Sequence, residues 1–397
     1  MRQLNFKRAT TTVALVIWAF LMMGLSVNAQ TISVLITGLK RPAKIIRTEQ
    51  GNLLVAEQGL GTHDGRISFI DPQTGLRRTL LDGLPSAVGR YGIPQGPSGL
   101  VMRGRTLYIT IGEGDPTVAC NAPCVQIPNP AGVSSPIFSS VLALEFSAQT
   151  EMTTNGFTLT LDNDFALKNG ENLNFNNGNG DNATLKLVAD FNDVAPDPLP
   201  GAPQNVAASN PFGIEIIDNH VFVVDGGMNN VWKVGIFRGN IESLITFPEV
   251  VLPLGQSIEA VPAGIRVYNG QLLVALLRAG DANPFAAGLA EIRIVNPLTG
   301  SDAPLITGLT SAIDLLPVQT EGNPDYLYVL EFGVFAPPNG PGRKPTQLLR
   351  FNATAGRLPL SITDLGPFAT NMTRDPVTGD LYLTRMFVGA IARVRFP

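Results

Sequence analysis

From about residue 30 onward, the apolar positions fall in runs of roughly five, rich in Val, Ile, Leu and Tyr and bounded by Gly, Pro, Asn and Asp. No 3.6-residue period runs through them. Runs of this length and composition predict short buried strands rather than helices. They also recur in a fixed order. N-P-F-G-I at 210–214 is followed by a polar turn, then V-F-V-V-D at 221–225, a short loop and V-W-K-V at 231–234. The same strand, turn, strand, loop, strand order starts at R-P-A-K-I (41–45), G-P-S-G-L (96–100), V-P-A-G-I (261–265), S-A-I-D-L (311–315) and F-A-T-N-M (368–372).

These are six units, anchored on Ile45, Leu100, Ile214, Ile265, Leu315 and Met372, at intervals of 55, 114, 51, 50 and 57 residues. Four intervals match one four-stranded blade each. The long one holds an insertion, at about 112–183, because 115–138 and 147–183 are Asn-, Gly- and Pro-rich and carry no copy of the pattern. Naming the strands a to d from channel to rim, T-L-L-D-G-L (79–84) and P-L-I-T-G-L (304–309) supply fourth strands. The last unit stops after strand c. I-S-V-L-I-T-G-L (32–39) is a d strand with no unit before it. Joining the two closes a ring, which removes the open edges that a solenoid would leave. The expected fold is therefore all-β: a single six-bladed β-propeller over 30–397, closed by an N-terminal strand that completes the C-terminal blade. A sandwich or jelly roll would not produce six copies of one unit.

The order and spacing of these units resemble the ScyD/ScyE family of NHL-like bacterial propellers. The matching stretches include 210–227, A-V-P-A-G-I-R-V (260–267), G-L-T-S-A-I-D-L (308–315), L-Y-V-L-E (327–331) and L-Y-I-T-I-G-E-G-D-P (107–116). Lys44 stands where the family usually has Gly, and the Asn-rich insertion is private to this chain. The resemblance implies a propeller with no established catalytic residues to carry over.

Arg2, Lys7 and Arg8, the apolar run Val13–Leu25 and Val27-Asn28-Ala29 form the layout of a cleavable Sec signal peptide over 1–29, with cleavage after Ala29 and a secreted or periplasmic product. Removing the leader's three basic residues leaves 25 basic against 32 acidic. An acidic chain with no basic run is a poor nucleic-acid binder, and no later segment is long and apolar enough to span a membrane. A monomer is expected. Cys120 and Cys124 are the only cysteines. A loop disulfide suits an oxidising compartment, a free pair is the alternative, and zinc lacks the further ligands it needs.

Strand order puts the b–c and d–a connections on one face. The b–c loops at 58–65, 112–138, 277–289 and 332–346 are long and the a–b turns short, so ligand binding is expected on the b–c face. Glu57, Asp225 and Glu331 end strand b, and Glu113 lies close by; repeat geometry brings Arg41, Asn210 and Asp314 to the same mouth. Three readings stay open: hydrogen bonds that knit the blades, an oxygen-lined Ca²⁺ site, or a polar organic ligand. Arg41 and Arg385 could instead neutralise the acids. His63, next to Asp64 in the first b–c loop, is the one candidate base; His220 sits in an a–b turn. The functional expectation is an exported propeller binding a small molecule or a protein partner. The alternative is an enzyme of the soluble quinoprotein sugar dehydrogenase or Ca²⁺-dependent lactonase type. Asn169–Asn182 is expected to be a loop beside an extra hairpin formed by Phe157–Leu161 and Ala183–Val188.

Overall fold

A computed structural model describes residues 30–178, 180–253, 255, 257–280, 287–319, 325–333, 346–352, 360–365 and 368–396, with 360–364 as backbone only. The predicted leader lies outside these residues. The chain is a six-bladed β-propeller. In blade 1, strands a to d are Pro42–Arg47, Leu53–Glu57, Gly65–Ile70 and Arg77–Leu84. Blade 2 uses Pro97–Arg103, Thr106–Ile111, Ser140–Phe146 and Asp181–Asp190, and blade 3 uses Pro211–Ile217, His220–Asp225, Asn230–Gly235 and Ile241–Thr246. Blade 4 uses Pro262–Tyr268, Gln271–Leu276, Ala290–Val295 and Asp302–Leu309; blade 5 uses Ala312–Val318, Tyr326–Glu331, Gln347–Asn352 and Leu360–Asp364. Blade 6 takes strands a to c from Ala369–Arg374, Leu381–Arg385 and Ala390–Arg395, and its d strand, Thr31–Ile36, from the other end of the chain. That strand runs antiparallel to strand c, with Thr31 opposite Arg395. The ring closes as the orphan strands predict.

All six anchor residues are buried on strand a. Each strand a also carries a bulge near its start, such as the one between Pro42 and Lys44 or between Ala369 and Asn371. The bulge increases twist and turns the following residues toward the axis. Two layers of side-chain positions line the channel as a result. One holds Lys44, Gly99, Gly213, Gly264, Asp314 and Asn371; the next, nearer the a–b face, holds Ile46, Val101, Glu215, Arg266, Leu316 and Thr373.

Neighbouring strands a meet in two ways. A Cβ on Gly99, Gly213 or Gly264 would lie 2.2, 2.5 or 2.7 Å from the carbonyl oxygen of Phe212, Ala263 or Ile313 on the next blade. These seams are close backbone contacts that only glycine admits. Between blades 5 and 6, Asp314 Oδ2 instead accepts from Met372 N at 3.0 Å and Asn371 Nδ2 at 2.6 Å. Between blades 6 and 1, Asn371 Oδ1 accepts from Ile45 N at 3.0 Å, and Thr370 Oγ1 donates to Ala43 O at 2.9 Å.

The insertion differs from the expected loop and hairpin. Phe157–Thr158 pairs in parallel with Leu81–Asp82, adding a fifth strand to blade 1. The Asn-rich Leu173–Gly178 pairs with Asp181–Asp190 as a fifth strand of blade 2. Two short helices, α1 (Ala148–Thr153) and α2 (Leu161–Lys168), link these strands. The buried Glu151 of α1 accepts from Arg105 at 2.8 Å and Asn52 at 3.2 Å, and its carbonyl accepts from Arg78 at 2.6 Å. Sequence pattern missed this because the partners lie 46 to 99 residues away. Among the described residues no helix is long and apolar enough to cross a membrane.

Candidate functional site

The b–c and d–a connections carry four small hairpins, at 87–95, 117–128, 194–208 and 250–258. The 117–128 hairpin holds Cys120 and Cys124, whose sulfurs are bonded. Parts of two further b–c loops, 281–286 and 334–345, lie outside the described residues.

Register settles which residues share the strand-b end. Glu57, Ile111, Asp225, Leu276, Glu331 and Arg385 stand opposite the first residue of strand a in blades 1 to 6. Acids therefore occupy alternate blades. Each is turned into its own blade. Glu57 accepts from Lys40 N at 2.6 Å and Ser68 Oγ at 2.5 Å. Asp225 accepts from Ser209 Oγ (2.6 Å), Asn210 N (2.7 Å), Trp232 Nε1 (3.0 Å) and two further backbone amides. Glu331 accepts from Thr310 N at 2.5 Å. A longer Glu reaches one residue further back along the d–a connection than Asp does. Backbone N–H groups, hydroxyls and the Trp232 N–H donate to these carboxylates, and Arg77 lies 3.7 Å from Glu57. Among the described residues no group of three or more His, Cys, Asp or Glu is placed to hold a metal ion. Glu57, Asp225 and Glu331 are each held by hydrogen bonds within their own blade and the d–a connection that leads into it.

Glu113 lies two residues beyond the strand-b end of blade 2, and its environment differs. Among the described residues its side chain has one weak hydrogen bond, from Thr117 Oγ1 at 3.5 Å, and its backbone N–H donates to Asn210 Oδ1 at 3.2 Å. Burial first, and the nearby Asp225 carboxylate second among the raising influences, push its pKa up to about 7, against the pull of Arg90.

Asp314 is not at the mouth. It lies in the channel, in ion pair with Arg266 at 3.1 Å and bonded to Asn371. Arg266 also donates to Met372 O at 3.1 Å and lies 3.5 Å from Glu215, so it ties blades 3 to 6 together across the axis. Lys44 completes this plug. Burial, and then the Arg266 charge, depress its pKa to about 8.

Arg41 has positive φ (58°), donates to Met386 Sδ at 3.4 Å and lies 4.5 Å above the ring of Phe387. Phe387, Phe332 and Phe368 form a trio with centroids 5.2 to 6.3 Å apart. The Nε atoms of Arg41 and Arg385 are buried without a hydrogen-bond partner. His63 is bonded not to the adjacent Asp64 but to Asp164 of α2, with Nε2 2.7 Å from Oδ2, and Ser135 Oγ donates to the same oxygen at 2.6 Å. Asp64 instead caps its own loop, accepting from Leu60 N at 2.8 Å, and pairs with Lys40 at 3.0 Å. The bond to Asp164 raises the His63 pKa.

On the opposite face, a cavity of about 600 Å³ occupies the a–b end of the channel, lined by all six residues of the second layer and rimmed by Arg47 and Arg374. Sequence reasoning missed it because short a–b turns look inert. Aligning the six strands a would have shown Glu215 and Arg266 side by side at a channel-lining position.

No family model and no curated protein matches the chain. Solved structures do. A structural-genomics protein from Bacteroides thetaiotaomicron matches with a TM-score of 0.50 at 9% identity, over 93% of this chain and 76% of that one. A streptogramin B lyase matches with 0.46 at 13%, over 93% and 98%. The PQQ-bound aldose sugar dehydrogenase of Streptomyces coelicolor matches with 0.48 at 12%, over 93% and 99%. Likeness at this identity speaks to the fold and to nothing finer.

Proposed function

We propose that this chain is an exported, ScyD/ScyE-like binding propeller that takes a small carboxylate-bearing ligand at the b–c mouth between blades 6 and 1. One observation carries the reading: Arg41 and Arg385 bring buried, unpartnered Nε atoms to a mouth bedded by three phenylalanines, while the nearby strand-end acids are already satisfied. Guanidinium groups of this kind favour planar bidentate recognition of a carboxylate, and aromatic rings favour a flat ligand body. The test is a thermal-shift panel of sugar acids and aromatic carboxylates. A binder raises the melting temperature by mass action. Arg385→Gln should abolish the shift and Arg77→Gln should leave it. A shift that survives Arg385→Gln and Arg41→Gln would sink the reading. The enzyme alternative has the His63–Asp164 contact in its favour, since a buried carboxylate that orients an imidazole is what a general base needs. A quinone absorption band or bound Ca²⁺ in purified protein would support it.

A further inference from the structure

The cavity at the a–b end of the channel is separate from the mouth just discussed, and the polar plug of Lys44, Asp314, Asn371 and Arg266 lies between them. Its wall is apolar where Ile46, Val101 and Leu316 face it. Its floor is the Glu215–Arg266 pair. Arg266 is already committed to Asp314, Met372 O and Ile265 O. Among the described residues Glu215 has that guanidinium at 3.5 Å as its one ion-pair partner, so its carboxylate has acceptor capacity facing the cavity. At the rim, Arg47 and Arg374 occupy the same strand-a position on adjacent blades. Arg47 pairs with Asp375 at 3.4 Å, yet its Nε is buried without a partner. The Arg374 side chain has no hydrogen-bond or ion-pair partner among the described residues.

Two arginines beside Glu49 at the rim, an apolar wall and an acceptor at the floor define a ligand by chemistry. We infer that this end of the channel binds a small organic acid whose carboxylate meets Arg374 and Arg47, whose ring-sized apolar body fills the collar, and whose far end carries a hydroxyl that donates to Glu215. A plain fatty acid does not fit, because its methyl end would displace water from a charged floor without replacing the hydrogen bond. A simple inorganic anion would leave the apolar collar unused.

Calorimetric titration of the mature protein with 4-hydroxyphenylacetate, phenylacetate and 2-(4-hydroxyphenyl)ethanol tests each element separately. The hydroxy acid should bind, and loss of either polar end should weaken binding about tenfold or more. Arg374→Gln, which breaks no hydrogen bond or ion pair among the described residues, should weaken the hydroxy acid by a similar factor. Glu215→Gln should narrow the gap between the hydroxy acid and phenylacetate. Arg385→Gln, on the other face, should change nothing here, so this site and the b–c mouth can fail independently. Absence of binding at millimolar hydroxy acid, equal binding of the three compounds, or wild-type affinity in Arg374→Gln would each overturn the inference.

Discussion

The seams of blades 2 to 5 and those of blades 5, 6 and 1 solve one packing problem with opposite chemistry. In the first set, glycine lets a strand-a carbonyl come within contact of the neighbouring backbone, with no side chain between them. In the second, Asp314 and Asn371 reach across and capture the backbone N–H of the next blade. Glycine seams are short-range and indifferent to charge. Polar seams depend on a buried network that also holds Arg266 and Lys44, and they lie on either side of the blade whose closure joins the two ends of the chain. The half of the ring that must be assembled from distant sequence is thus held by directional bonds. The continuous half is held by close backbone contact, with Arg266 bridging blades 3 to 6 at the axis.

Several outcomes would break or sharpen that contrast. Removing residues 30–37 takes away the d strand of blade 6 and should have the largest effect, a fall in melting temperature of roughly 10 °C or more. An unchanged melting curve would show that the ring does not depend on its closure. Gly213→Ala should cost about 2–3 kcal/mol in chemical denaturation, because its Cβ would lie 2.5 Å from Ala263 O and overpacked sites give way poorly. Asn371→Ala should cost about 1–3 kcal/mol by leaving Ile45 N without its acceptor. Only the polar-seam loss should vary with pH.

Lys44→Met should stabilise by about 1–3 kcal/mol at neutral pH. The folded-state pKa of Lys44, about 8, lies below its unfolded value, so the unfolded chain binds more protons between these values and wild-type stability should rise as pH climbs from 8 toward 10. That rise should be missing in Lys44→Met. Glu113→Gln should have the smallest effect. Here the folded pKa, about 7, lies above the usual 4.5, so Glu113 lowers stability as pH rises between these values, and the Gln variant should flatten that slope.

Six blades, the closing strand and the anchor residues were legible because each repeats a local pattern that burial imposes. The direction of the strand-end acids was not. Whether Glu57 faces the axis or its own blade depends on a hydrogen bond from Lys40, and on a register that places Ile111, not Glu113, at the equivalent position of blade 2. The partners of Glu151 and Asp164 were hidden for a related reason. Both acids read as surface residues of a polar insertion, and only long-range pairing with blades 1 and 2 buries them. The a–b cavity is assembled from one residue of each blade, so no single segment announces it.

The pairing of Thr31 with Arg395 also sets a clock on synthesis. Chain made vectorially from its N-terminus presents the closing strand first and its partner last. Until residue 395 is available, Thr31–Ile36 is an unmatched strand, and its Ile32 and Val34 stay exposed even in the closed ring. The ring therefore closes last, once the whole propeller sequence is available in the compartment where the chain folds.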